Sequence, residues 1–210
     1  MKQYVNETKF LGIIIDQYLR WDKHAEYLQK KLAIFCIKSI RKMTSLKTAT
    51  LAYHGMFHSI ISYGMLMWGN STRAHHIFIL QKKALRAIHN LPNDASCKTL
   101  FRKTNIMTLP GIYIYELLKY VKQNESKFKL SKNVHECNTR QKDKIRPQLR
   151  ALKVSQRDIT YMGAVVYNKL QKEIRDLPVK DFKIKVKTML INCEFYSFKD
   201  FMEYGLTVPW

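Results

Sequence analysis

The sequence predicts a mainly α-helical protein: a helical bundle preceded by a short β element and followed by a smaller, partly irregular tail in which helical patterning resumes. Three observations carry that prediction. Apolar residues recur at three- and four-residue spacing through most of residues 22–124, the period of helices with one buried face. A single short run, FLGIII at residues 10–15, lacks that period and has strand composition. Between residues 122 and 157, eleven basic residues stand against three acids while apolar residues thin out, which reads as a basic linker or arm. The chain accordingly divides into a β segment over residues 1–20, a helical domain over 21–124, the arm over 125–157 and a tail with short helices over 158–210.

Taken in order, residues 10–15 read as one strand, apolar on both faces, of the kind that belongs inside a sheet. That makes it an unpaired, β-prone segment and an aggregation hazard when nothing covers it. Asp22 sits where a helix N-cap is expected. Behind it Ala25, Leu28, Leu32, Phe35, Cys36 and Met43 line up as one apolar face, with Lys23, Lys30, Lys31, Lys38 and Arg41 opposite. A second helix is predicted over residues 48–68, closed by Gly69-Asn70-Ser71. A third runs over 75–89, with Ile77, Leu80, Ala84 and Ile88 inward and Lys82, Lys83 and Arg86 outward. Pro92, Asn93 and Asp94 mark the following turn. Ser96 opens a short helical piece, and Pro110 suits the first turn of a helix carrying Ile112, Leu117, Tyr120 and Val121. In the tail, residues 161–174 and 182–191 each read as a short helix, separated by Pro178.

Composition narrows the function. In 210 residues, 37 Lys and Arg face 16 Asp and Glu, a formal net charge of +21, and 46% of residues are hydrophobic. Such a chain can fold, and its charge calls for a polyanion, nucleic acid before an anionic membrane surface. Residues 48–72 carry no formal charge, a span long enough for a bilayer. Yet His54, Gly55, His58, Ser59, Ser62 and Gly64 interrupt it, and a buried helix is the better reading. The four cysteines are scattered with no C-x-x-C pair, which argues against a zinc knuckle or a disulfide framework and fits an intracellular site, nucleus or cytoplasm.

Catalytic motifs are not found. There is no H-E-x-x-H, G-x-S-x-G or G-x-x-x-x-G-K-[ST], and the eight aspartates stand singly. Metal-assisted phosphoryl transfer needs clustered carboxylates, so no catalytic residue and no metal ligand is assigned. His54 and His58 share a helical spacing that metal ligands can use, but are read as packed beside aromatics or touching solvent. What remains is a binding surface: lysines and arginines of coherent sign on the first and third helices, able to neutralise phosphates.

The segments KFLGIIID, LRWDKHAEYLQKKL, FHSIISYGMLMWGNS, IFILQKKALRAIHN, SCKTLFRKTNIMTLPGIYIYELLKYVK, HECNTRQKDKIR and YMGAVVYNKLQKEIRDLPVKDFK, in this order, resemble the region after the catalytic palm in reverse transcriptases of non-LTR retrotransposons, the jockey-like elements above all. The resemblance spans nearly the whole chain. It implies that the parent activity is RNA-directed DNA synthesis and that the helices are the thumb, which grips the template–primer duplex. It assigns the duplex-facing role to Lys30, Lys31, Lys38, Lys82, Lys83 and Arg86. Phe10, Leu11 and Gly12 take a primer-grip-like role, Gly12 because a close backbone approach suits a residue without a side chain.

Departures from the family pattern narrow the expected activity. The family's aromatic–Ala–Asp–Asp motif is missing, and Leu170-Gln171 stands where the family has Leu-Pro. The expected function is therefore nucleic-acid binding, to an RNA–DNA or RNA duplex, with no polymerisation by this chain alone and no cofactor in it, although the complete enzyme would need Mg2+. Two other readings stay open: a domesticated nucleic-acid-binding or adaptor protein, and a relic without function.

Overall fold

The computed structural model describes residues 6–32, 34–128, 144–147 and 158–205. The chain divides into two units, Met1–Leu109 and Pro110–Trp210. The helix beginning at Pro110, expected to close the first bundle, thus falls with the second unit.

Unit 1 opens with an antiparallel hairpin, β1 (Glu7–Phe10) and β2 (Ile13–Asp16), with Phe10 opposite Ile13 and Glu7 opposite Asp16. The single strand expected over residues 10–15 is thereby corrected. Leu11 (φ +46) and Gly12 (φ +81) both adopt left-handed backbone, the two-residue turn whose twist matches that of paired strands. The reason given for Gly12 also changes. A Cβ there would meet only Tyr63 Cε1 at 3.8 Å, an ordinary contact, so backbone conformation and not close approach requires the glycine.

Asp16 organises the turn from β2 into the first helix. Its carboxylate accepts the backbone N–H groups of Tyr18 (3.0 Å), Arg20 (3.1 Å) and Trp21 (2.8 Å), leading the chain into α1 (Asp22–Lys31). Partial burial pushes the Asp16 carboxyl up, and those donors more than offset it, holding it below its ordinary value. Asp22 is therefore not the N-cap. Trp21 holds that position with φ +65, and Asp22 lies in the first turn, paired with Arg73 at 2.9 Å.

The long first helix is also two. Leu32 is extended, α2 (Ile34–Met43) comes after it, and Met43 is 86% exposed, outside the apolar face assigned to it. Arg41 is structural as well: its Nε donates to the Ile88 carbonyl at 2.7 Å, at the last residue of α6 (Ala74–Ile88). A cation there satisfies an orphan carbonyl and complements the helix dipole.

The predicted helix over 48–68 is segmented into α3 (Leu46–Tyr53), a π-helical turn (His54–His58), α4 (Ser59–Ser62) and α5 (Met65–Trp68). Among the described residues, no helix is long and apolar enough to cross a membrane. Ser45 caps α3, accepting from Thr48 N at 3.3 Å. The break before α5 is a turn with Tyr63 at φ −68, ψ 125 and Gly64 at φ 63, ψ 15, a type II geometry that places glycine where φ is positive.

The core of unit 1 gathers Tyr53, Phe57, Ile61, Trp68, Ile77, Leu85 and Phe101, all essentially inaccessible. Polar groups are enclosed there too, Gln81 most completely. The Gln81 amide, fully buried, donates to Tyr53 Oη and to the Met107 carbonyl, each at 2.9 Å. Desolvation raises the Tyr53 phenol well above its usual range. The bonds fix α6 against α3 and against the segment beyond α7 (Lys98–Lys103).

Unit 2 contains α8 (Leu109–Gln123), α9 (Ile159–Tyr167), α10 (Lys172–Arg175), α11 (Val179–Cys193) and α12 (Phe198–Tyr204). Tyr113 and Leu117 are buried, as core residues would be. A Cβ at Gly163 would lie 2.7 Å from Val121 Cγ2, so glycine lets α9 approach α8. The Lys122 ammonium, with a side chain only 8% exposed, donates to the Arg175 carbonyl at 2.6 Å and pairs with Glu125 at 2.9 Å. Tyr167 donates to the same Glu125 carboxylate at 2.6 Å. Of the basic arm, residues 125–128 and 144–147 are described: Glu125–Lys127 form a 3-10 turn, and Asn168 accepts the Ile145 N–H (2.9 Å) and donates to its carbonyl (2.7 Å), pinning that piece. The rest of the arm, residues 129–143 and 148–157, lies outside the described residues.

Candidate nucleic-acid interface

The candidate residues fall on three helices of unit 1, α1, α2 and α6. At the C-terminal turn of α1, Lys30 and Lys31 are exposed. Lys31 Nζ lies 5.8 Å from the Tyr27 ring centroid, and Lys9 Nζ, from β1, approaches the same ring at 4.8 Å. Two cations thus flank one aromatic ring. The hairpin brings Lys9 there, a residue the helical periodicity could not have flagged. Lys38 lies on α2, and its side chain is outside what is described.

On α6 the three basic residues stand away from the buried face formed by Ile77, Phe78, Gln81, Ala84, Leu85 and Ile88. They differ in freedom. Lys83 is exposed, whereas Lys82 is half-buried with its Nζ 4.9 Å from the Phe78 ring. Arg86 Nε donates to the Ala95 carbonyl at 2.8 Å and so holds the loop before α7. Cys97, also in that loop, is buried, and desolvation pushes its thiol up against the opposing pull of Arg86 and Lys82. A guanidinium used this way still presents charge outward, but its position is set by the fold.

At the hairpin tip Phe10 and Leu11 are 62% and 72% exposed, and the Leu11 carbonyl accepts from Tyr63 Oη at 2.6 Å. The tip therefore presents apolar side chains on a backbone fastened to the body of unit 1. His54 and His58 stand with ring centroids 5.4 Å apart beside Tyr53. Among the described residues, no three His, Cys, Asp or Glu side chains gather closely enough to hold an ion.

Residues 182–191 read as a helix from sequence, but its lysines are not among the contacts put forward there: Lys180, Lys185 and Lys187 of α11 are exposed. They stand outside the basic faces assigned on the first and third predicted helices, which is why sequence reasoning missed this surface.

Fold and site together define a mainly helical protein with exposed basic helix faces. Compared with protein families, with curated proteins and with solved structures, the chain finds no match in any of the three.

Proposed function

We propose that this chain is the duplex-gripping C-terminal part of a non-LTR-type reverse transcriptase, binding RNA–DNA or RNA duplex through the outer faces of α1 and α6 without carrying out polymerisation itself. The reading rests on the ordered resemblance of its segments to that family. Its main physical support is the set of exposed ammonium groups of Lys30, Lys31 and Lys83 on a chain of net charge +21. Lysines of this kind contact phosphates as point charges and release counterions, which gives affinity without sequence preference. Lys82 and Arg86 belong to the α6 part of the proposed face, Lys38 on α2 is a further duplex contact implied by the resemblance alone, and Phe10, Leu11 and Gly12 form a primer-grip-like tip.

Fluorescence anisotropy of a labelled RNA–DNA hybrid across a salt series tests this reading. Six phosphate contacts give a log–log slope of about −5, and each contact removed lowers its magnitude by about 0.9. Substituting Lys30, Lys31 and Lys83 together with Gln is expected to flatten the slope by about 2.7. An unchanged slope in a folded variant would place the contacts elsewhere, and absence of salt-sensitive binding would overturn the proposal.

A further inference from the structure

The two edges of the N-terminal hairpin are not alike. On the β2 side the outward backbone N–H of Ile14 is taken up by His24 Nδ1 at 3.3 Å, and β2 lies against α1. On the β1 side every residue from Glu7 to Phe10 is exposed, and β2 is the only strand β1 pairs with among the described residues. The register fixes which groups point outward. Phe10 pairs with Ile13 across the two-residue turn and Thr8 with Ile15, while Gln17 N donates to the Asn6 carbonyl at 3.1 Å. Alternation along an antiparallel ladder then turns the N–H and C=O of Glu7 and Lys9 away from β2.

We infer that this open edge pairs with β1 of a second copy of the chain, antiparallel, with Thr8 on the two-fold axis. Backbone parity and charge together select that register. Only residues whose backbone groups point outward can exchange ladder bonds, so Glu7 and Lys9 must face Glu7 or Lys9 of the other copy. A register centred on Lys9 sets ammonium against ammonium, and one centred on Glu7 sets carboxylate against carboxylate. The register centred on Thr8 places Glu7 opposite Lys9 twice, each pair exchanging both backbone bonds. Opposite charges directly across a ladder attract, and like charges there repel. Thr8 then faces its own copy, a β-branched pair suited to a strand. The contact is isologous, as a closed dimer requires. It is also small, so the dimer is weak and forms at high protein concentration.

Sedimentation equilibrium of the full chain, cleared of nucleic acid by nuclease, tests the pairing from low to high micromolar protein. The salt is held at about 0.15 M, where a Debye length of about 8 Å screens long-range repulsion between two cationic chains more than it screens contact pairs. Wild-type protein should show reversible monomer–dimer association. Glu7→Lys and Lys9→Glu should each weaken it by about tenfold or more, because each sets like charges opposite one another at both pairs. The double swap, Glu7→Lys with Lys9→Glu, restores the pairs at unchanged net charge and should restore association. Lys9→Pro, which removes an outward-facing donor and the ammonium beside Tyr27 but no backbone bond to β2, should abolish it while leaving the urea midpoint of the monomer near that of wild type. A chain monomeric throughout the range, or association that the single swaps leave intact or the double swap does not restore, overturns the inference.

Discussion

Gly64→Ala probes the joint between the hairpin and the helices in two ways at once. The residue sits at φ +63, and a Cβ built there would lie 2.6 Å from Ile13 Cδ1 and 3.4 Å from its Cγ1. Left-handed backbone costs a residue bearing a Cβ about 1–2 kcal/mol. Forcing a buried isoleucine from its seat adds about 1–3 kcal/mol, since Ile13 is buried and a close-packed interior offers little room to shift. The total, about 2–5 kcal/mol, should appear as a lowered urea midpoint with unchanged slope. Ile13→Val removes the Cδ1 atom, at about 0.5–1.5 kcal/mol on its own. In the double variant the steric part is relieved and the backbone part remains, so it should be about 1 kcal/mol or more stabler than the two single effects summed. A Gly64→Ala variant within about 0.5 kcal/mol of wild type, or strictly additive effects, would refute the account of this joint.

Acid should loosen unit 1. Desolvation depresses the pKa of His24, and that of His89 is lowered by desolvation, Lys103 and Arg41. The unfolded chain therefore binds protons first: the stabilisation is complete above about pH 6.5 and declines as pH falls below it. Urea midpoints measured from pH 7.5 down to 5 should fall, and His24→Leu should make that fall shallower despite lower stability at neutral pH. A wild-type midpoint flat over that range would contradict the assignment. Asn168→Ala should release the pinned segment at Ile145, and tryptic cleavage after Lys144 should quicken by about tenfold for each 1.4 kcal/mol lost, whereas an unchanged rate would deny the clamp its role. Removal of residues 1–16 should lower both stability and solubility, despite the aggregation hazard expected of FLGIII, because it strips Ile13 from the core and Asp16 from the start of α1. An equally stable, more soluble truncation would show the hairpin to be dispensable.

Where buried faces follow a simple period, the sequence was readable. The core stripe of α6 and the helix after Pro110 follow from spacing, as does a helix in the tail behind Pro178. The breaks were less readable because each depends on backbone conformation and not on hydrophobicity. Leu11 and Trp21 adopt positive φ without being glycine, and the π turn at His54–His58 carries neither proline nor charge to mark a change of helix. Asp22 was a plausible cap by composition, but α1 starts without a side-chain cap, and Asp16 instead takes the N–H groups of Tyr18, Arg20 and Trp21 in a loop whose shape no pattern encodes. Of the candidate interface, the exposed lysines were legible as the polar side of amphipathic helices. The tie from Arg86 to Ala95, the use of Arg41 at the end of α6 and the arrival of Lys9 beside Tyr27 all arise from tertiary contacts that local spacing does not carry.

The central claim is that duplex nucleic acid lies on the outer faces of α1 and α6, and lysine acetylation in the presence and absence of an RNA–DNA hybrid tests it most directly. The account predicts that the hybrid protects Lys30, Lys31 and Lys83, with Lys9 protected beside them, while the enclosed Lys122 reacts slowly in both states. Protection confined to Lys180, Lys185 and Lys187 of α11, or no protection at all, would contradict it.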